Sequence, residues 1–147
     1  MGSYILHSFI RVIKLLSDRL NPNWGIVDIN DCASAVDYLC STGIVDPQRV
    51  VITGGSAGGY AVLQSMCTTT DVYRAGTSSY GISNLKMLYE DTHKFESRYP
   101  EYLLGGTPET APDVYYDRSP INNAEKIKAP LLVCFYWWFH GQCSHYP

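Results

Sequence analysis

The residue best placed to do chemistry is a serine in a glycine-rich turn at residues 54–59. The run Gly-Gly-Ser-Ala-Gly at 54–58 matches the pattern G-x-S-x-G, and it lies between a short β-branched apolar run and a helical pattern. In that setting the pattern predicts a nucleophile elbow, a sharp turn that exposes the serine hydroxyl. Ser56 would project at the carboxyl end of its strand, and the backbone N–H of Ala57 could donate to a developing oxyanion. The small residues of this predicted elbow are Gly54, Gly55, Gly58 and Gly59. The positions two before and two after the serine, Gly54 and Gly58, are expected to be small because strand and helix crowd together there.

Other interpretations of the turn are a phosphate-binding loop and a bare glycine turn without chemistry. A Walker loop needs Lys-Ser or Lys-Thr after its glycines, and a dinucleotide loop needs glycine where Ser56 stands, so both phosphate patterns fail. The bare turn stays open as an alternative. Tyr60, just after the turn, either lines a substrate pocket or packs behind the serine, and the sequence does not choose between these roles.

A serine hydroxyl is a weak nucleophile at neutral pH, and it needs a histidine base that a carboxylate orients. Such acyl transfer requires no cofactor. Within this chain the order Ser–Asp–His can be written with Asp117 and either His140 or His145. Asp113 lies among Pro and Tyr in a loop, and His140 follows an apolar strand pattern, which is typical of a packed or loop histidine. We therefore expect no internal triad.

The elements that must position this serine follow from hydrophobic periodicity. Three short apolar runs lack alternation, as in strands buried on both faces of a parallel sheet. Stretches with a 3.6-residue apolar period separate them, and Gly43 ends the first of these helices. The strands are predicted at 49–53, 75–80 and 130–136, and the helices at 26–40, 60–67 and 84–90. This alternation predicts an α/β fold with a mostly parallel sheet that helices cover on both faces.

Composition narrows the function classes. The 147 residues suit one domain. A net charge of −3 without a basic cluster argues against nucleic-acid binding. Scattered cysteines and few histidines make a metal site unexpected, and they predict reduced thiols in a cytoplasmic protein. The apolar stretch at 4–16 contains Arg11 and Lys14, so it suits an amphipathic helix rather than a membrane span or signal peptide.

Several segments together resemble the prolyl oligopeptidase family. The run GGSAGGY at 54–60 is similar to the family's GGSxGGY serine signature. Further segments that resemble the family, including its acylaminoacyl-peptidase and dipeptidyl-peptidase-like branch, lie at 24–31, 80–85, 94–99, 118–121 and 127–132. The resemblance spans about residues 20–133. It implies an α/β-hydrolase fold and a serine-type peptidase that hydrolyses small peptides through an acyl-enzyme on Ser56.

The chain also departs from the family pattern. The resemblance places the catalytic acid after the third strand, in a segment like HGxxDxxVP, but here Ser144 stands in that position after His140. The family's catalytic histidine and its oxyanion-hole tyrosine have no recognisable counterpart. We therefore expect a fold truncated at both ends, with a divergent helical segment at 1–19, a partial catalytic domain at 20–133 and a divergent tail at 134–147.

These observations lead to one expectation and two alternatives. The expectation is a serine-type peptidase by family, whose 147-residue chain has negligible turnover because the acid and the histidine are missing. The alternatives are an esterase for small esters and a non-catalytic interaction module of α/β-hydrolase type. In the second alternative a partner, or missing segments, would cover the open sheet edge. We expect a peptide substrate, and neither a nucleic acid, a membrane, a metal nor a cofactor.

Overall fold

The computed structural model describes residues 17–91 and 99–135. Residues 17–20 are helical, and short 3₁₀ helices lie at Pro47–Arg49 and Pro120–Lys126. The other elements, in chain order, are α1 (Val27–Ser41), β1 (Val51–Gly55), α2 (Ala57–Thr68), β2 (Ala75–Ser79), α3 (Leu85–Asp91), α4 (Tyr99–Leu104), α5 (Pro112–Asp117) and β3 (Leu131–Cys134). Every predicted strand and helix in this part of the chain is present, with its ends shifted by a few residues.

The three described strands form a parallel sheet in the order β1-β2-β3, as predicted. β1 extends into the glycines that were expected to follow it, because Gly54 and Gly55 pair with Ser78 and Ser79 of β2. Ladder hydrogen bonds need only backbone groups, so the low strand propensity of glycine does not end the strand here. The elbow therefore begins directly from a paired strand.

Helix α2 packs along β1 and β2 and forms a core with them. Val62 and Met66 of α2 are buried in one cluster with Val50, which directly precedes β1, and Tyr73, which lies just before β2. From α1, the predicted apolar face contributes Val36 and Cys40 to this core. Gly43, with φ of +73°, lies just past the end of α1, as the sequence predicts.

A second core surrounds the beginning of α2. In this core the segment that precedes α1 packs against four helices, α2, α3, α4 and α5. Its buried residues are Trp24, Tyr60, Leu85, Leu103, Leu104 and Tyr115. The residues that precede and follow the elbow are thus anchored in two separate apolar clusters. Such anchoring on both sides fixes the turn between them.

The sheet face opposite α2 is exposed in the described part of the chain. Val51 and Leu132 are 65% and 59% exposed. By register and strand alternation both point to the side opposite Ile52 and Leu131, which pack against the α2 core. The predicted burial of the strands on both faces therefore holds only on the α2 side among residues 17–91 and 99–135.

Three stretches lie outside the described residues, namely 1–16, 92–98 and 136–147. They include the helical pattern predicted at 4–16 and most of the predicted divergent tail. Within the part that is described, no helix has the length and apolar character needed to cross a bilayer.

Candidate active site

Ser56 is the single residue between the end of β1 and the start of α2. Its backbone has φ of 55° and ψ of −120°, a conformation that residues other than glycine rarely adopt. Ser56 N donates to Ser79 O at 3.1 Å, and Tyr60 N donates to Ser56 O at 3.0 Å. The residue is exposed. The structure thus places Ser56 in a sharp strand-to-helix turn at the carboxyl end of β1, where its sequence context predicts it.

Close backbone contacts explain two of the four glycines around this turn, Gly54 and Gly59. A Cβ on Gly54 would overlap the backbone carbonyl of Gly58, and a Cβ on Gly59 would lie 2.6 Å from the Cα of Gly81. A Cβ on Gly58, however, would meet no atom within 4 Å. The expectation that Gly58 itself must be small is therefore wrong. The backbone of Gly58 is what crowds the strand, so of these two positions only Gly54 must lack a Cβ.

Ala57 is the first residue of α2. Backbone N–H groups at the start of a helix have no acceptor within the helix, and they lie at the positive end of its dipole. Because Ala57 follows Ser56 directly, its N–H belongs to the same turn as the serine. A backbone N–H in this position could donate a hydrogen bond to the oxyanion that forms when a serine hydroxyl attacks a carbonyl group.

Tyr80 borders the turn, although the sequence analysis did not single it out as a site residue. It follows β2 directly, has φ of 43° and is 53% exposed. A Cβ on Gly55 would lie 2.7 Å from Tyr80 Oη, so the ring covers the end of β1. No local sequence signal shows this placement, because it follows from the register between β1 and β2. Gly55 pairs with Ser79, and the residues that follow the two paired ends must share one sheet edge.

Tyr60 does not reach this edge, because its side chain is fully buried. Its ring centroid lies 4.6 Å from that of Trp24, and its hydroxyl donates to Arg118 O at 3.0 Å. Burial raises the pKa of Tyr60 well above its ordinary value. Of the two roles open to Tyr60, the structure shows packing behind the serine.

Arg118 and Asp28 form hydrogen bonds with the segment that packs against Tyr60. Arg118 Nη1 donates to Pro22 O at 2.7 Å and to Trp24 O at 3.0 Å. Asp28 Oδ1 accepts from Gly25 N at 2.7 Å. Burial lowers the pKa of Arg118 and raises that of Asp28. The segments that resemble the family at 24–31, 54–60 and 118–121 therefore meet in one hydrogen-bonded cluster that holds the start of α2.

The two aspartates considered for a triad within the chain are not brought to Ser56. Asp113 and Asp117 line a cleft with Gln64 and Thr68, which lie in the later turns of α2. Gln64 is roughly 12 Å along the helix axis from Ser56, at 1.5 Å per residue. All four histidines, and Ser144, fall outside the described residues. Across 17–91 and 99–135, no group of three or more His, Cys, Asp and Glu side chains could hold a metal ion.

Comparison with known proteins gives a consistent result. The model of the prolyl oligopeptidase family matches residues 14–135. The chain is 32% identical over 117 residues to dipeptidyl aminopeptidase BIII of Pseudoxanthomonas mexicana, covering 77% of this chain and 17% of that protein. A puromycin-hydrolyzing peptidase of Mycobacterium tuberculosis superposes with a TM-score of 0.74 at 42% identity, covering 78% of this chain and 18% of that one. For the acylaminoacyl peptidase of Pyrococcus horikoshii the TM-score is 0.68 at 26% identity, covering 80% and 19%. These solved structures have the α/β-hydrolase peptidase fold. By these coverages, the chain spans less than a fifth of the length of each of these relatives.

Proposed function

This chain belongs to the prolyl oligopeptidase family of serine peptidases, and on that premise we propose that Ser56 is the nucleophile that cleaves peptide substrates. The observation that carries the proposal is the backbone of Ser56, with φ of 55° at an exposed strand-to-helix turn. Strain of this kind costs about 1–3 kcal/mol and persists where the surrounding structure holds it. Here Ser79 O and Tyr60 N hold the two sides of the residue.

The proposed reaction is acyl transfer in two stages. Ser56 Oγ attacks the carbonyl carbon of the scissile peptide bond and passes its proton to a histidine base. The carbonyl oxygen becomes an oxyanion that accepts a hydrogen bond from the N–H of Ala57. The proton then moves to the leaving amine, and a water molecule hydrolyses the resulting ester. The resemblance implies the base and its acid, and no described residue supplies the imidazole.

Tyr80 is proposed to border the substrate. Its ring covers the end of β1 beside Gly55, at the same sheet edge as Ser56. A half-exposed aromatic side chain at the rim of a site offers apolar area to a bound residue. This role belongs to Tyr80 rather than to Tyr60, whose side chain is fully buried.

We further propose that the 147-residue chain by itself has very low turnover. Ser144 stands where the resemblance implies the acid, and a hydroxyl cannot stabilise an imidazolium as a carboxylate does. Loss of triad members lowers catalysis by roughly 10⁴- to 10⁶-fold, which leaves mainly the oxyanion and binding contributions.

A fluorophosphonate probe tests both proposals in one experiment. Slow modification confined to Ser56, absent in Ser56→Ala and retained in Ser83→Ala, supports Ser56 as the nucleophile. Ser83 is a matched control because it is also an exposed serine. Equal labelling of the Ser56→Ala variant refutes the nucleophile assignment. Fast stoichiometric labelling of Ser56 supports the nucleophile but overturns the proposal of low activity.

We propose a cytoplasmic location because the described cysteines are not paired in disulfides. Cys32, Cys40, Cys67 and Cys134 are all free. Unpaired cysteines are typical of proteins kept in a reducing compartment.

A further inference from the structure

Arg118 uses both its backbone and its side chain to join two segments that lie behind the elbow. Its carbonyl oxygen accepts a hydrogen bond from Tyr60 Oη at 3.0 Å. Its Nη1 atom donates to Pro22 O at 2.7 Å and to Trp24 O at 3.0 Å. One residue therefore contacts both the tyrosine of α2 and the segment whose Trp24 ring packs against that tyrosine.

The path from Arg118 to Ser56 is short. Tyr60 lies in the first turn of α2, and its N–H donates to Ser56 O at 3.0 Å. The Tyr60 side chain is fully buried, and a Cβ on Gly25 would overlap its hydroxyl. Because close-packed groups transmit displacements to their neighbours, the position of the Ser56 carbonyl depends on what surrounds the Tyr60 side chain.

The backbone around Arg118 is itself anchored. The next residue, Ser119, is 1% exposed. Its hydroxyl donates to Tyr115 O at 2.6 Å and accepts from Leu85 N, at the start of α3, at 2.9 Å. The Arg118 carbonyl is thus presented to Tyr60 from a fixed backbone, and the guanidinium is the part of Arg118 that holds the other segment.

We propose that Arg118 is a positioning residue for Ser56, and that its guanidinium controls how fast the Ser56 hydroxyl reacts. The inference rests on the proposed function, because it concerns the reaction of that serine. Ser56 has φ of 55°, and strained angles persist only where neighbouring contacts hold them. Without the guanidinium, Pro22 O and Trp24 O lose a donor and the packing against Tyr60 loosens. The turn at Ser56 should then relax towards angles that serine prefers, which misplaces its hydroxyl.

Fluorophosphonate labelling of Ser56 in the full 147-residue chain tests this role. Arg118→Met keeps an apolar stem but removes the donors, and it should lower the rate of labelling at least tenfold. Arg118→Lys should label at least threefold faster than Arg118→Met, because one nitrogen makes both hydrogen bonds and an ammonium group also has several donors. Equal rates for the parent and Arg118→Met, or for the two variants, overturn the proposal.

Amide hydrogen exchange separates positioning from a general loss of stability. The N–H of Tyr60, which donates to Ser56 O, should exchange at least tenfold faster in Arg118→Met. The N–H of Met66, later in α2 and buried in the other core, should change by less than threefold. Equal acceleration at the two amides would show that Arg118 supports the fold as a whole, and it would overturn the proposal.

Val36→Ala is the matched control for stability. Val36 packs in the core that does not contain Tyr60, so its truncation removes apolar contacts without touching the elbow. It should lower the urea midpoint but leave the labelling rate within twofold, at a temperature where every variant is folded. A fall in rate as large as that of Arg118→Met would overturn the proposal.

The outcomes distinguish this inference from the proposed function. Labelling that persists in Ser56→Ala refutes the nucleophile assignment, whatever the effect of Arg118→Met. Labelling that requires Ser56 but is equally fast in the parent and in Arg118→Met supports the nucleophile and overturns the role of Arg118. If Ser56 is not labelled at all, exchange of the Tyr60 amide still decides whether Arg118 holds the elbow.

Discussion

Replacing Ser56 with glycine should stabilise the fold while it removes the proposed chemistry. Serine pays a conformational cost at φ of 55° and ψ of −120°, of about 1–3 kcal/mol. Glycine adopts such angles freely, but it also gains about 0.4–1 kcal/mol of freedom in the unfolded chain. The net gain for Ser56→Gly is therefore about 1 kcal/mol. For a chain of this size that corresponds to a rise in Tm of about 3 °C.

The matched control is Ser56→Ala, which removes the hydroxyl but keeps the Cβ and hence the strain. Because Ser56 is exposed, alanine should leave the free energy of unfolding within about 0.5 kcal/mol of the parent. Urea denaturation at fixed temperature, with thermal scans in parallel, measures all three proteins. If Ser56→Gly is no more stable than Ser56→Ala, then strain at the elbow is not stored in Ser56, and the argument from its backbone angles fails.

Further predictions concern two glycines of the elbow and two buried side chains of α2. Gly54→Ala should cost at least about 2 kcal/mol, because its Cβ would overlap the Gly58 backbone. Gly58→Ala should be neutral or stabilising by up to about 1 kcal/mol, since its Cβ meets open space in a helix. If urea denaturation gives the same loss of stability for Gly54→Ala and Gly58→Ala, the difference expected between the two positions is contradicted. Tyr60→Phe should cost about 0.5–1.5 kcal/mol, because the partly buried Arg118 carbonyl loses its donor. Tyr116→Phe, at a residue that is 62% exposed, should change the free energy of unfolding little, and similar costs in the two variants would show that the Tyr60 hydroxyl is not needed. Burial raises the pKa of the Cys67 thiol from 9.0 to about 11, because the folded state favours the neutral thiol over the thiolate. The contribution of this thiol to stability is therefore complete below pH 9.0 and is lost as the pH rises to about 11. Cys67→Ala should flatten the fall in unfolding free energy across that range, and an unchanged slope would count against it.

The strand–turn–helix setting of Ser56 was predictable because its signals are local. A β-branched run, a glycine cluster and a helical period lie within 20 residues, and each has a known backbone preference. The parallel α/β arrangement follows from the same local patterns. The α/β-hydrolase fold and the family assignment also came from the sequence, since the resemblance rests on several segments spread along the chain.

What the sequence could not provide depends on contacts between distant segments. The choice of role for Tyr60 is made by Trp24 and Arg118, which lie far from it in the chain. The place of Tyr80 beside the turn depends on the register between β1 and β2. The need for glycine at Gly54 but not at Gly58 depends on which backbone atoms meet, and residue type alone does not show this.

The hydrogen bond from Ser56 N to Ser79 O has a consequence for the order of events during synthesis. Ser56 leaves the ribosome before the residues of β2 do. One of the hydrogen bonds that hold its bent backbone is therefore missing from the nascent chain. A short synthetic peptide that copies the glycine cluster should likewise lack the bend. Reactivity at Ser56 would thus be a property of the assembled sheet, acquired only after the neighbouring strand has docked.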